Sequence, residues 1–397
     1  MGKFKSCITP RNVLIFNLIL IMLIFLFNCT TDEEEDFFNP VAVIENFISP
    51  LPQYTSVPDN NELTREKISL GRQLFWDPIL SGNRDVACAT CHHPDKGYAD
   101  ALDLSIGFGG IGLGERRTGT IRAQRNAHTV LNTAFNGITI NNEVNPLEAP
   151  MFWDNRAMNL EEQALLPLLS KEEMRGENIP ENELYEVIVN RLDTIPEYKQ
   201  AFQNAFGTDV ITTDRIAKAI ASFERTLVAT NSPFDRYMRG DETAMTQQQI
   251  NGMNAFVNVG CAECHRGPMF SDFQLHTLGV PDNPKLPRPD ASTGAYAFRT
   301  PTLRNLAFTA PYMHNGMQTS LEEVMIFYEE ISEGDDDRIN ANLTMSNIDP
   351  LARELDIDDD VAGAIIAFME ALNDPNFDRT IPTDVPSGLP VGGNINN

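Results

Sequence analysis

Apolar residues recur with a helical period through much of the chain. Leu184, Tyr185, Val187, Ile188 and Leu192 share one face at this spacing, as do Ile216, Ala219, Ile220, Phe223 and Leu227. Val361, Ala364, Ile365, Phe368, Met369 and Leu372 form a third stretch. Alternation with the period of a strand is sparse. Glycine, proline and asparagine interrupt the pattern over long connections, notably Gly107–Gly119 and Gly279–Gly294. The pattern predicts an all-α fold of helices joined by long loops. A join is expected near Asn231–Thr246, where Ser232-Pro233 and Gly240-Asp241 break the periodicity.

The start of the chain is patterned differently. Lys3, Lys5 and Arg11 precede fifteen residues, Val13 to Phe27, that are apolar except for Asn17. As a helix this run would rise about 22 Å, short of the roughly 30 Å hydrocarbon core of a bilayer. Residues 1–28 therefore read as a signal peptide. Cys29 follows directly and resembles the lipidated cysteine of bacterial lipoproteins, although Phe27 and Asn28 are larger than the residues usual there. The expectation is cleavage before Cys29 and its lipidation, with a plain signal peptide or an uncleaved anchor as alternatives. The acidic run Asp32–Asp36 is similar to the surface-export signal of Bacteroidetes lipoproteins and reads equally as part of a solvated acidic linker over 29–59. These features imply a periplasmic protein, or an outer-membrane or cell-surface lipoprotein, of a Gram-negative bacterium. A lipid anchor would be its only membrane contact.

Composition narrows the partners. Thirty basic residues stand against 56 acidic ones, a net charge of −26, which repels nucleic acid and favours a cationic protein partner. The 397 residues suffice for two domains. Six cysteines are too few for a disulfide scaffold at this length, so their placement carries the information.

Four of the six lie in two C-x-x-C-H motifs, Cys88-Ala89-Thr90-Cys91-His92 and Cys261-Ala262-Glu263-Cys264-His265. Two thiols at this spacing can form thioethers with one porphyrin while the adjacent imidazole binds its iron. This composition yields roughly 0.001 chance matches per chain, so two are not accidental. A structural zinc site would bring its second C-x-x-C much closer than 173 residues. Two covalent c-type hemes are expected, bound through Cys88, Cys91, Cys261 and Cys264, with His92 and His265 on the irons. The spacing gives each its own domain, residues 60–235 and 236–380, two helical cytochrome c-like domains followed by a flexible tail over 381–397.

Further motifs surround both sites. Leu74-Phe75-Trp76-Asp77-Pro78, Arg125-Asn126-Ala127 and Phe152-Trp153-Asp154-Asn155-Arg156 flank the first, with Gln163 and Glu173 beyond. Phe298 to Asn305 and Thr309 to Gly316 follow the second. Over roughly Asn60 to Asp378 the chain resembles the bacterial diheme cytochrome c peroxidase/MauG family. The resemblance implies a peroxidatic heme on His92 and an electron-transferring heme on His265. It assigns Glu173 as acid/base carboxylate, Gln163 as a second pocket residue and Trp153 as the relay between the hemes. It also implies Ca2+ held by Asn126, Thr309 and Pro311, hydrogen peroxide as substrate, and a small external cytochrome or cupredoxin as electron donor. The acidic surface would suit a basic donor, and a homodimer is one assembly open to the chain.

Two positions depart from the peroxidases of the family. Phe108 stands where some members carry a blocking histidine, so the first iron is expected five-coordinate or water-bound; His93 and His128 lie nearby as alternative ligands. Fourteen residues after His314, where peroxidases place an axial methionine, is Tyr328, as in MauG-like members. Met325 lies one helical turn earlier and stays open as the alternative ligand. The expected activity is peroxide reduction. Peroxide-dependent oxidation of a protein or organic substrate, and a non-enzymatic electron carrier, are the alternatives.

Overall fold

The structure, a computed structural model, describes residues 44–396; the signal segment, Cys29 and the acidic run 32–36 lie outside them. Its longer helices are α1 (Arg65–Trp76), α2 (Leu184–Asp193), α3 (Pro196–Phe206), α4 (Thr213–Glu224), α5 (Pro233–Met238), α6 (Gln247–Asn258), α7 (Leu321–Glu333) and α8 (Asp359–Glu370). The three periodic stretches are α2, α4 and α8. Thr64, Thr212, Ser232, Thr246, Ser320 and Asp358 cap their helices by accepting a backbone N–H, which fixes where those helices start. Two short antiparallel strands, β1 (Leu275–Thr277) and β2 (Ala297–Arg299), pair His276 with Phe298. The all-α expectation holds in its coarser form: the described chain is helix-rich with little sheet. Among the described residues no helix is long and apolar enough to cross a membrane.

Two helix pairs organise the interior, and they are built alike. α1 crosses α4 at Gly71, where a Cβ would lie 1.9 Å from the Ala219 carbonyl oxygen. α6 crosses α8 at Gly252, where a Cβ would lie 1.9 Å from the Ala364 carbonyl oxygen. Four residues on, Phe75 meets Phe223 edge to face at 5.2 Å and Phe256 meets Phe368 at 5.4 Å. One pair carries the core containing Leu74, Phe75, Tyr98 and Phe202, the other the core containing Phe234, Phe256, Phe270 and Phe368. The repeat Gly-x-x-x-Phe with Ala-x-x-x-Phe is thus an internal duplication that reaches well beyond the C-x-x-C-H motifs.

Both ends of the described chain correct an expectation. Residues 381–396 do not form a flexible tail, because Val385 and Ile395 are buried in the first core. Gly392 donates to the Trp76 carbonyl at 2.8 Å and accepts from Thr90 Oγ1 at 2.8 Å. Glycine and proline hide the period of these apolar residues, so a packed strap looks like a tail in sequence. Within the expected linker, Ile44 and Ile48 are buried in the second core and Leu51 in a third cluster with Phe135.

Candidate active site

Each C-x-x-C-H motif forms a short turn directly beside one of the helix pairs. Cys88 to Cys91 make one helical turn, and Cys261 to Glu263 follow α6 after Gly260, which takes φ of 101°. His92 Nδ1 donates to the Tyr98 carbonyl at 3.0 Å, and His265 Nδ1 to the Phe270 carbonyl at 3.0 Å. Because a carbonyl only accepts, both rings carry their proton on Nδ1 and leave Nε2 free as a ligand atom. Tyr98 and Phe270 in turn pack edge-on against Phe75 and Phe256, so the duplication fixes both imidazoles in the same way. Cys88, Cys91, Cys261 and Cys264 form no disulfide among the described residues, which leaves all four sulfurs available for thioether attachment.

The motifs open into two cavities. Cys88, Cys91 and His92 line a cavity of about 910 Å³ together with Trp153, Gln163 and Glu173. Cys261, Cys264 and His265 line a second one, of about 190 Å³, with Met325 and Tyr328. Asn126 to Thr129, Trp153 and Arg299 belong to both, so the cavities share a wall. The paired thiols, the free Nε2 atoms and the mainly apolar linings fit a covalent porphyrin. Arg122 and Arg288 make no ion pair or hydrogen bond among the described residues and line the first cavity, where they suit porphyrin carboxylates.

Glu173 reaches the first cavity from an unusual turn. Arg175 N–H bonds to the Ser170 carbonyl at 2.9 Å and Gly176 N–H to Lys171 at 3.1 Å, a wide π-turn over Lys171–Arg175. Two glycines clamp this turn. A Cβ at Gly82 would lie 1.9 Å from the Arg175 carbonyl oxygen, and one at Gly107 would lie 2.3 Å from that of Glu173. Burial of the Glu173 carboxyl raises its pKa to about 7, opposed by the Arg156 charge. Gln163 ends the short helix Leu160–Gln163, and its side chain makes no hydrogen bond among the described residues.

The other expected residues separate clearly. Phe108 packs on Gly176, behind the Glu173 turn, and is no part of the cavity wall. His93 is buried against Trp76, also outside the cavity. His128 lies beside His92, stacked on Trp153. In the second cavity, Met325 is buried in the core while Tyr328 stands near Cys261 and Cys264; burial pushes the Tyr328 phenol up. His276 is held between Asp272 at 2.9 Å and Asp349 at 2.7 Å, whose carboxylates push its pKa up and favour the imidazolium. His314 stacks on Phe298 at 3.5 Å, and Met313 also lines this cavity. Asn126, Thr309 and Pro311 share its wall. Asn126 Nδ2 donates to the Leu102 carbonyl at 2.7 Å, and among the described residues no hydrogen bond reaches its Oδ1 or the Thr309 and Pro311 carbonyls. An oxygen set of that kind fits a hard cation.

Sequence reasoning marked Gly279–Gly294 as a long connection but gave it no part in the first cavity, which it closes. Leu286 to Pro289, from the glycine-bounded connection after β1, line it from outside the first half of the chain. Asp290 anchors the loop through Arg125, at 2.6 and 3.0 Å, and Asn283 through Asp103 at 2.9 Å. The clustering of Pro287-Arg288-Pro289 was the available signal.

Residues 65–243 match the family described as di-haem cytochrome c peroxidase. The chain is 34% identical over 338 residues to methylamine utilization protein MauG of Methylorubrum extorquens, covering 83% of this chain and 85% of that protein. It is 33% identical over 349 residues to cytochrome c551 peroxidase of Nitrosomonas europaea, covering 86% and 88%. A crystal structure of a MauG-like protein associated with microbial copper homeostasis superposes with a TM-score of 0.65 at 27% identity, covering 82% of this chain and 95% of that one. Likeness of this extent, spanning both cavities and their shared wall, means that the chain belongs to the diheme cytochrome c peroxidase/MauG family and is a peroxidase-type or MauG-like diheme enzyme.

Proposed function

We propose that the chain reduces hydrogen peroxide in the first cavity with electrons that enter through the second. The observation that carries this reading is a carboxyl of raised pKa, Glu173, in the same cavity as His92, behind a wall shared with the His265 cavity. Heme c on His92 would supply the binding and reduction of peroxide, and heme c on His265 the exchange of electrons with a donor. Each heme would then sit on its own helical half, as the duplicated helix pairs suggest. Glu173 takes the proton from the bound peroxide oxygen and returns it to the outer one, so that the O–O bond breaks with water leaving. Gln163, with a free amide, orients the peroxide. Trp153 passes electrons across the wall, and Asn126, Thr309 and Pro311 hold Ca2+ at its edge.

Export and lipidation at Cys29 would put the enzyme outside the cytoplasm, where a small basic redox protein can reach it. Acidic residues crowd the segments beside the second cavity: Glu322, Glu329 and Glu330 on α7, Asp335–Asp337 after it, and Glu354 to Asp360. Leu351 is exposed among them and lines the cavity. The rate with a basic cytochrome donor is expected to fall several-fold between about 0.01 and 0.15 M salt as the Debye length shrinks from about 30 to 8 Å. A rate independent of ionic strength removes electrostatic docking.

Tyr328 beside Cys261 and Cys264 favours a second reading, peroxide-dependent oxidation of a protein or organic substrate in the manner of MauG. Trp76 and Trp153 are both buried, so a radical path to the surface would have to run over tyrosines.

Low-temperature electron paramagnetic resonance of the ferric protein, before and after one equivalent of peroxide, separates these outcomes. A high-spin signal for the first heme and a His–Tyr low-spin signal for the second are expected. A long-lived, spectrally silent oxidised state after peroxide favours substrate oxidation over peroxide removal. Two low-spin signals unchanged by peroxide overturn both readings, and a His–Met signal transfers the axial role from Tyr328 to Met325.

A further inference from the structure

The shared wall holds more than Trp153. The imidazole of His128 lies parallel to the indole, with ring centroids 3.9 Å apart and an angle of 29°. Its backbone touches the His92 ring, and its Nε2 lies 3.5 Å from an Nη of Arg299. On the other side Trp153 meets His314 edge-on at 6.2 Å, and His314 stacks on Phe298. Arg299 also fixes the indole segment, donating through its backbone N–H to the Trp153 carbonyl at 2.7 Å and through Nε to the Phe152 carbonyl at 2.8 Å. The stack therefore runs from the His265 cavity to the residue in contact with His92.

We propose that His128 is the second member of the electron relay between the two cavities, passing electrons from Trp153 towards His92 through its stacked imidazole. This proposal rests on the reading of peroxide reduction fed from the second cavity. No bond forms or breaks at the relay. One electron enters the indole as one leaves the imidazole side, and both rings end as they began. Trp153 keeps its proton, because Nε1–H donates at 3.0 Å to the Asn126 carbonyl, which is no base. The overall balance is that of the enzyme, H2O2 with two protons and two electrons giving two waters, the electrons coming from the reduced donor.

The test uses fully reduced, heme-loaded protein mixed with one equivalent of peroxide, and reads the decay of the ferrous absorption of the His265-side heme. H128L, which keeps apolar volume without a ring, is expected to slow this decay by at least about tenfold, the scale on which displacement of an oriented group shows in a rate. H128F, which restores a stacked ring, is expected to stay within about threefold of the parent. Both variants should keep the parent's heme content, reduction potentials and ferric spectra, readouts that a mere packing defect would move. Should H128L lose heme, H128Q, planar but not cyclic, replaces it with the same expectation. Decay in H128L or H128Q as fast as in the parent overturns the role of His128 and leaves peroxide reduction standing. Absence of any decay in the parent overturns the underlying reading, and this proposal with it.

Discussion

Glu173→Gln is expected to lower peroxide turnover by about 10²- to 10⁴-fold, the usual contribution of a positioned acid/base, with covalent heme content unchanged. The amide matches the carboxyl in shape but cannot carry a proton from one peroxide oxygen to the other. The geometry of the site should survive, because the turn is held by backbone contacts rather than by the side chain. Its i to i+5 hydrogen bonds and the close approaches of Gly82 and Gly107 do not involve the carboxyl. The pH profile supplies an independent check. Burial disfavours the charged form and raises this pKa to about 7, so the carboxylate that accepts the proton predominates above about 7. In the parent, turnover should fall as pH drops through that value, and the residual rate of the variant should lack this limb. Full turnover in Glu173→Gln, or an unchanged acid limb, would remove Glu173 from the mechanism.

The legibility of this molecule in its sequence followed a physical division. The heme motifs could be read because covalent attachment and ligation require fixed spacing within five residues. Helices α2, α4 and α8 were visible because one apolar face repeats at the helical period. The duplication was equally present, as Gly71 with Phe75 and Gly252 with Phe256, but a four-residue spacing becomes meaningful only when the crossing helices supply Ala219, Phe223, Ala364 and Phe368. The strap 381–396 escaped notice because its apolar residues serve a core more than 300 positions away, on Trp76 and Thr90. His128 could be marked only as an alternative iron ligand, since its stacking on Trp153 is a tertiary event. Resemblance could name Glu173, Gln163 and Trp153, whereas the choice between Met325 and Tyr328 turns on which side chain binds iron, a question of ligand chemistry that helical spacing leaves open.

The pair that roots the second cavity was likewise invisible, and its loss should be costly. Asp235 is fully buried and receives both terminal nitrogens of the buried Arg304, at 2.9 and 3.0 Å. The same carboxylate accepts the Leu51 N–H at 3.0 Å, the Ser232 N–H at 3.1 Å and the Ser232 hydroxyl at 2.7 Å. It thereby ties the segment before α1, the start of α5 and the wall of the second cavity together. Arg304 lines that cavity, with Nε on the Pro268 carbonyl at 2.6 Å and its guanidinium over Phe270. Asp235→Ala leaves a buried cation with no counter-charge, a change that costs about 3–5 kcal/mol. The half of the α5 capping box in which Asp235 accepts the Ser232 N–H is lost at the same time, while Ser232 still accepts the backbone N–H of residue 235. In a thermal scan of the heme-loaded protein, Tm is expected to fall by roughly 10 °C, taking about 2–4 °C per kcal/mol for a large domain. The double variant Asp235→Ala/Arg304→Met should recover part of this loss, because no unpaired charge then remains in the interior. If the double variant is no more stable than Asp235→Ala, the cost lies in the lost Ser232 and Leu51 bonds to the carboxylate, and the ion pair is not what holds the second cavity in shape.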